Sequence, residues 1–169
     1  MKSTVHGVDQ GGKGAPPLIG ALLRRPFLAV RAQIVEDLRT AGFPDLQAAH
    51  LSVFQYPGPE GRSPSDLARA ADASKQAMNN LLAQLERAGY LEREVNPANR
   101  RERTIRLTGQ GREVIEVIRG SVDRLESGWK ADFGEADYGQ LRSLLERLDA
   151  MAEAGRIKPG KPAMKGKQR

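Results

Sequence analysis

The residue types that best suit chemistry in this sequence form a run of small polar and cationic side chains between positions 74 and 84. Asn and Gln amides pair bidentately with adenine, Lys donates to guanine or phosphate, and a Ser at a helix start lies where backbone amides meet phosphates. An ordinary solvated helix face mixes acids with bases, but no acid occurs from Ser74 through Gln84. The pattern predicts contacts to a DNA major groove by Ser74, Lys75, Gln76, Asn79 and Asn80.

A second group consists of arginines further along the chain. Arg100, Arg101 and Arg103 lie at the tip and on the return strand of a predicted hairpin, with Arg93 and Arg106 on the flanking strands. The narrow minor groove of DNA has a strong negative potential that attracts arginine. A solvated charged turn is the alternative for any single arginine. The cluster beside a polar helix favours DNA contact by Arg100, Arg101 and Arg103.

Catalytic and metal-binding chemistry has little support in the sequence. There are two histidines, His6 and His50, and no cysteine. A Gly-rich phosphate loop and a carboxylate-histidine spacing are both missing. The absence of cysteine also excludes disulfides, thiolate metal sites and iron-sulfur clusters. We therefore expect no enzyme activity, no catalytic residue, no metal site and no cofactor.

The net charge of +6 is a weak guide, because it lies at one end of the chain. Residues 156–169 contain six Lys and Arg and no acid, which leaves 21 basic residues against 21 acidic ones elsewhere. DNA binding is therefore indicated by where the charges lie in the folded part and not by the net charge. The longest strongly apolar stretch, Leu18 to Leu23, is too short for a membrane span, and no signal peptide precedes it. We expect a cytoplasmic protein.

The first helices follow from apolar residues at spacings of three and four. One such pattern covers Leu18 to Thr40 and is interrupted by Pro26. We interpret Pro26 as a first-turn residue of the main helix, preceded by a turn or short helix over Leu18 to Arg25; a kink inside one longer helix is the alternative. A second short helix is predicted over Asp45 to Phe54.

Two short helices joined by a tight turn follow. Ser63 and Pro64 are typical of a helix start, and that helix ends at Ala71. Ser74 then caps a longer helix that extends through Ala88. This spacing is that of a helix-turn-helix.

After this helix, the spacing of residues on one face changes from three and four to two. Two sets of residues alternate here: Leu91, Arg93 and Val95 with Glu92 and Glu94, and then Arg103, Ile105 and Leu107 with Thr104 and Arg106. A turn is predicted between them, from Asn96 to Glu102. A hairpin directly after a helix-turn-helix defines a winged helix. The predicted fold class is mostly α, with a small β-hairpin wing.

Two long helices complete the chain. Thr108 caps the first, whose apolar residues from Ile115 to Trp129 approach a coiled-coil pattern. The second covers about Glu135 to Glu153. Because a winged helix does not need helices of this length, part of their apolar surface, with the first helix, is assigned to a dimer interface.

The chain resembles the MarR family of regulators over roughly Leu18 to Met151. Four stretches carry the resemblance: Ser74–Met78, Leu85–Leu91, Asn96–Arg101 and Leu107–Gly111. They are similar to the family's recognition helix, wing and entry to the dimerisation helix. The resemblance implies a two-fold dimer with Arg101 directed into the minor groove. The family usually has Asp at the position of Asn99, where this chain offers the wing arginine only a neutral hydrogen bond.

The predicted domain organisation has three parts. Residues 1–17 are a flexible arm, 18–155 a MarR-like winged helix-turn-helix domain, and 156–169 a basic flexible tail. The DNA-binding lobe covers about 44–107 and the dimerisation helices about 18–41 and 108–153.

The expected function is that of a sequence-specific double-stranded DNA-binding regulator. The resemblance implies a homodimeric repressor that a small-molecule effector releases from DNA, and the sequence does not identify the effector. A dimer predicts a pseudo-palindromic operator. The alternatives are a protein-interaction winged helix and a nonspecific architectural DNA binder.

Overall fold

The computed structural model describes residues 16–54, 58–96 and 99–155, and for 99–102 it describes the backbone only. The predicted arm, apart from Pro16 and Pro17, and the whole predicted tail lie outside these residues. The described chain is mostly helical with one two-stranded antiparallel sheet, which confirms the predicted fold class. The helices are α1 (Ile19–Thr40), α2 (Leu51–Phe54), α3 (Pro64–Ala70), α4 (Lys75–Arg87), α5 (Gly109–Phe133) and α6 (Glu135–Glu153), and the strands are β1 (Leu91–Asn96) and β2 (Asn99–Leu107).

The first helix is continuous through its proline. α1 contains Pro26 in its interior, so the prediction of a separate short helix before Pro26 is wrong and the single longer helix is correct. Proline removes one backbone hydrogen bond from a helix. The leucines, alanines and arginines on both sides are good helix formers. One missing bond therefore does not end the helix.

The second predicted helix is mostly wrong. Of the residues from Asp45 to Phe54, only Leu51–Phe54 form α2, and the preceding residues form successive turns. The His50 ring contributes to this difference, because its Nδ1 accepts a hydrogen bond from the backbone N–H of Gln47 at 3.1 Å. A side chain that bonds local backbone in this way competes with helical bonding.

The helix-turn-helix begins and ends where the sequence predicts. Ser63 caps α3 by accepting a bond from the Asp66 N–H at 3.2 Å, and Ser74 caps α4 by accepting one from the Ala77 N–H at 3.1 Å. Each cap satisfies an amide that has no partner inside its helix. Between the two helices, Asp72 adopts a positive φ of 48°. This tight turn fixes the start of α4 against α3.

The wing is longer than predicted. β1 and β2 pair from Leu91 with Leu107 to Asn96 with Asn99, so the predicted turn from Asn96 to Glu102 is too long. Backbone pairing depends little on side-chain type at an exposed edge. The hairpin therefore continues through polar residues that have no strand signal in the sequence.

A loop segment extends this sheet on the far side of β2. The Gly61 N–H donates to the Ile105 carbonyl at 2.7 Å, and the Ile105 N–H donates to the Arg62 carbonyl at 2.9 Å. The Glu60 carboxylate accepts the Leu107 N–H, also at 2.7 Å. The part of β2 at the base of the wing is thus paired on both of its edges, with β1 on one side and residues 60–62 on the other.

The chain divides into two compact units, residues 1–119 and 120–169. The core of the first contains residues from helices, turns and wing, and the most deeply buried are Leu38, Val53, Met78, Leu82, Leu85, Tyr90, Leu91, Ile105 and Val114. In the second unit, Arg142 Nη1 lies 3.1 Å from both Glu126 carboxylate oxygens, and Lys130 lies over the ring of Tyr138. None of the described helices has the length and apolar character that crossing a membrane requires.

Candidate nucleic-acid interface

The exposed face of α4 brings together all five polar residues singled out in the sequence. Ser74, Lys75, Gln76, Asn79 and Asn80 are exposed. The opposite face buries Met78, Leu82 and Leu85 in the core, which fixes the rotation of the helix about its axis. No acid occurs in the first turn, where unpaired backbone amides and the helix dipole favour an anion.

One of these residues, Asn79, already has partners within the protein. Its side-chain Nδ2 donates to the Lys75 carbonyl at 3.0 Å, and its Oδ1 accepts from Arg93 Nη1 at 3.3 Å. Arg93 Nη2 also donates to the Asn79 backbone carbonyl at 3.3 Å, and Arg93 Nε lies 3.3 Å from Glu86 Oε2. Asn79 is therefore held in a defined orientation, unlike a freely rotating surface amide.

The two arginines on the flanking strands are both paired with acids. Arg93 points from β1 toward α4, on the same strand face as the buried Leu91. This direction could be predicted from the sequence, because residues two apart on a strand point to the same face. Arg106 Nε lies 2.8 Å from Glu94 Oε1, and the hydrogen bond to Glu94 raises the Arg106 pKa. Neither arginine faces outward as an unpaired cation.

The remaining wing residues lie near the end of the hairpin. Arg103 is exposed and lies opposite Val95 in the sheet, and it has no acidic partner among the residues that the structure describes. Asn99, Arg100 and Arg101 lie on β2. Their side chains lie outside the described part of the chain, so their contacts stay predictions.

A buried polar contact joins Tyr90, just after α4, to the turn before α2, and no sequence pattern predicts it. The Tyr90 hydroxyl donates to Asp45 Oδ1 at 2.6 Å. The Tyr90 ring packs edge-on against the ring of Phe43, with 6.1 Å between the ring centroids. Burial, together with the carboxylate of Asp45, raises the pKa of Tyr90 well above its ordinary value. Tyr90 therefore stays protonated, and its hydrogen bond stays intact, across the physiological pH range.

His50 makes a second such contact. Its Nε2 lies 3.0 Å from Gln84 Oε1 on α4, while its Nδ1 accepts the Gln47 N–H. The tautomer with hydrogen on Nε2 satisfies both bonds. His50 therefore acts as a packing residue that joins the turn before α2 to the end of α4.

A cleft of about 610 Å³ opens in the first unit, between the base of the wing and the start of α5. Leu107 and Ile115 supply apolar surface. Glu60 is engaged by the Leu107 N–H, and Glu116 pairs with Arg119 at 2.8 Å. The cleft is lined by Gly58, Pro59, Glu60, Arg62, Leu107, Arg112, Ile115, Glu116 and Arg119.

Large apolar side chains are exposed at both ends of the described chain. At the N-terminal end, Leu18 is 82% exposed and Leu22 on α1 is 50% exposed. In the second unit, Leu144 on α6 is 50% exposed and Leu145 is 44% exposed. Apolar patches of this kind are typical of interaction surfaces.

Known proteins share both sequence and fold with this chain. Residues 41–102 match the model of the MarR family. A protein from Thauera aromatica, provisionally named transcriptional regulatory protein for the hcr operon, is 29% identical over 150 residues, which are 88% of this chain and 85% of that protein. The crystal structure of MarR is 27% identical with a TM-score of 0.65, and the match covers 80% of this chain and 98% of MarR.

A further solved structure shares the fold. CouR, a transcriptional repressor solved with a 23-mer DNA duplex, is 22% identical with a TM-score of 0.61, and the match covers 78% of this chain and 92% of CouR. CouR from Rhodococcus jostii RHA1 was also solved with p-coumaroyl-CoA. At this identity the likeness is one of fold.

Proposed function

We propose that this chain, which belongs to the MarR family of DNA-binding transcriptional regulators, is a homodimer that reads a pseudo-palindromic operator and represses transcription. The observation that carries the proposal is the exposed face of α4 over its first three turns, which is polar, has no acid from Lys75 through Gln84 and is capped by Ser74 beside the wing. Such a protein acts where the DNA is, which supports a cytoplasmic location.

In this proposal α4 lies in the major groove. Gln76 and Asn79 read base edges, Asn80 and Lys75 contact bases or phosphates, and Ser74 with the first amides of α4 holds a phosphate. A bidentate pair between a side chain and a base contributes about 1–3 kcal/mol of discrimination. Phosphate contacts add affinity that falls with salt but carries no sequence information.

The wing enters the adjacent minor groove in the same proposal. Arg103 is exposed on β2, and Arg100 and Arg101 follow Asn99 at the end of the hairpin. Because a neutral Asn cannot form an ion pair with the wing arginine, the wing relies on the pairing of β1 with β2 and of β2 with the Glu60–Arg62 segment for its rigidity.

The exposed apolar side chains support the dimer. A two-fold dimer of this kind places its recognition helices in half-sites about 10 base pairs apart. Sedimentation equilibrium tests the assignment: Leu22→Asp and Leu145→Asp should each shift the protein to monomer. Val95→Asp is the matched control, because Val95 is 44% exposed but lies on the wing. A monomeric wild-type protein, or dimers that survive both substitutions, would contradict the dimer.

The cleft beside α5 supports an effector site. Its volume is within the range of small-molecule pockets, about 300–1,000 Å³. Arg62, Arg112 and Arg119 with the apolar Leu107 and Ile115 suit an organic anion with an apolar body. CouR, which has the same fold, was solved with p-coumaroyl-CoA.

The effector is tested by adding aromatic carboxylates and p-coumaroyl-CoA to the protein on its operator. This site is supported if a compound releases the wild-type protein from DNA and releases Arg112→Ala less well, while the two proteins bind the operator equally without the compound. Release that Arg112→Ala leaves unchanged would place the effector elsewhere. If no compound in the set releases DNA, the proposed ligand class is wrong.

Fluorescence anisotropy tests the regulator itself. Binding is compared between labelled DNA from upstream of the protein's own gene and a scrambled duplex, at two salt concentrations. A preference of about 10³ or more is expected for a sequence-specific regulator. Gln76→Ala should relax base preference, whereas Arg103→Ala should weaken binding to all duplexes.

Two results would redirect the interpretation. Equal, steeply salt-dependent binding to both duplexes, and to further promoter fragments, would favour an architectural DNA binder. No binding to any duplex would favour a winged helix that docks a protein partner.

A further inference from the structure

Arg93 has contacts that its position in the wing does not require. Its side chain is only 25% exposed, although arginine on a hairpin strand usually extends into solvent. A largely covered guanidinium needs partners, because burial of an unpaired charge is costly. Arg93 finds them on a single element, α4, where it contacts Asn79 and Glu86.

These two partners are seven residues apart, and therefore lie two turns apart on the same side of α4. The Arg93 fork donates to the side chain and the backbone carbonyl of Asn79, and Nε lies beside the Glu86 carboxylate. One side chain thus joins β1 to two turns of the helix, through two hydrogen bonds to Asn79 and an ion pair with Glu86 in which Nε forms no hydrogen bond. The wing cannot hinge away from α4 without breaking these contacts.

The same contacts determine which way the Asn79 amide points. A guanidinium only donates hydrogen bonds, so the atom that faces Arg93 must be the amide oxygen. The amide nitrogen is directed to the Lys75 carbonyl, which only accepts. A flipped amide would lose both bonds. The protein therefore favours one of the two amide orientations before any DNA is bound.

This orientation leaves Asn79 able to bind a base. An amide has two acceptor positions on oxygen and two hydrogens on nitrogen. Arg93 and Lys75 use one of each. One acceptor and one donor remain, which is the number that a bidentate pair with adenine takes.

We propose that Arg93 is a positioning residue for base readout, which clamps the wing to α4 and presents the Asn79 amide to DNA in a single orientation. The proposal rests on the proposed function, since it requires α4 to read bases. Arg93 itself acts through Asn79 and does not touch DNA.

The test uses the full-length protein and a set of operator duplexes in which each base pair is replaced in turn. Asn79→Ala first identifies the base pair that Asn79 reads, as the position where discrimination is lost. Arg93→Ala should lose discrimination at that same position by about fivefold or more. The double variant should lose no more there than Asn79→Ala alone, because both substitutions disable one interaction.

Two further variants separate positioning from simple loss of charge or fold. Arg93→Lys keeps the charge and the aliphatic stem but lacks the fork, so a loss at the same position is expected in a folded protein. Arg106→Ala removes an arginine from the neighbouring strand, where the partner is Glu94, and should leave discrimination at every position unchanged. Thermal unfolding of each variant verifies the fold.

The outcomes separate this inference from the proposed function. If Asn79→Ala loses discrimination at one position and both Arg93 variants keep it, Arg93 is not a positioning residue, although the protein still reads DNA. If Asn79→Ala keeps its discrimination at every position, Asn79 does not read a base, and the inference about Arg93 fails while the proposed function stands. If the wild-type protein shows no preference among duplexes, the proposed function fails with it.

Discussion

Gly111, at the start of α5, offers the sharpest test of how the helix is docked. A Cβ at this position would lie 1.9 Å from the Tyr90 carbonyl oxygen and 3.0 Å from Leu107 Cδ2. Carbon and carbonyl oxygen normally stay about 3.3 Å apart or more, so the two would have to separate by roughly 1.4 Å. The obstacle is backbone, which cannot rotate away as a side chain can.

The expected cost of Gly111→Ala follows from two losses and one gain. Forcing an extra carbon into a packed site costs about 1–3 kcal/mol. The Tyr90 carbonyl also accepts the Thr108 N–H at 3.2 Å, and weakening that bond costs about 1 kcal/mol. Alanine returns about 1 kcal/mol through its higher helix propensity. We expect a net loss of about 2 kcal/mol in the free energy of unfolding.

Thermal unfolding at a fixed protein concentration measures this, with Gly128→Ala as the control. Gly128 also lies inside α5, but nothing is within 4 Å of its Cβ position, so alanine there should stabilise. The Tm should fall by about 4–8 °C for Gly111→Ala and rise by about 2–4 °C for Gly128→Ala. If both substitutions raised the Tm, the close approach of α5 to the Tyr90 carbonyl would be wrong.

Three further predictions concern the polar contacts. Ser74→Ala should lower the free energy of unfolding by about 1 kcal/mol through loss of the α4 cap, measured by urea titration; no change would mean that the cap contributes nothing. Tyr90→Phe should cost about 1.5–3 kcal/mol at pH 7 because Asp45 loses its donor. Because the Tyr90 pKa is raised in the folded protein, the neutral hydroxyl stabilises the wild type at lower pH, and this contribution is lost as the pH rises above about 10. In thermal melts from pH 9 upward, the Tm of Tyr90→Phe should therefore fall less with pH than that of the wild type. An equal fall in both proteins would contradict this. The hydrogen bond from Ser63 lowers the Asp66 pKa below its ordinary 3.8, so the contribution of the Asp66 carboxylate to stability is present above that pH and is lost as the pH falls further. In thermal melts between pH 5 and 2, the Tm of Asp66→Asn should therefore fall less steeply than that of the wild type. Equal slopes of Tm against pH would refute this.

The arrangement of elements could be predicted because it depends on local chemistry. Ser63 and Ser74 mark the helix starts, since a serine side chain satisfies amides only a few residues away. The change from a period of three and four to a period of two marks the wing. The outward face of α4 follows from the buried Met78, Leu82 and Leu85.

The predictions that were wrong concern places where a local rule competes with another interaction. Pro26 is a helix breaker in isolation, but strong helix formers surround it and α1 continues. The turn before α2 has helical periodicity, but the His50 ring takes the Gln47 N–H. The wing extends to Asn99 because strand pairing, once begun, proceeds through residues with little strand preference.

The sequence by itself determined the order of elements, the helix caps and the polar face of α4, because each depends on residues close together in the chain. Only the tertiary structure decided how that face is held. The contacts of Arg93 with Asn79, of Tyr90 with Asp45 and of the Glu60 carboxylate with the Leu107 N–H join residues 14 to 47 positions apart. No periodicity specifies such pairs, since they form only when the packing of the core brings separate elements within hydrogen-bond distance.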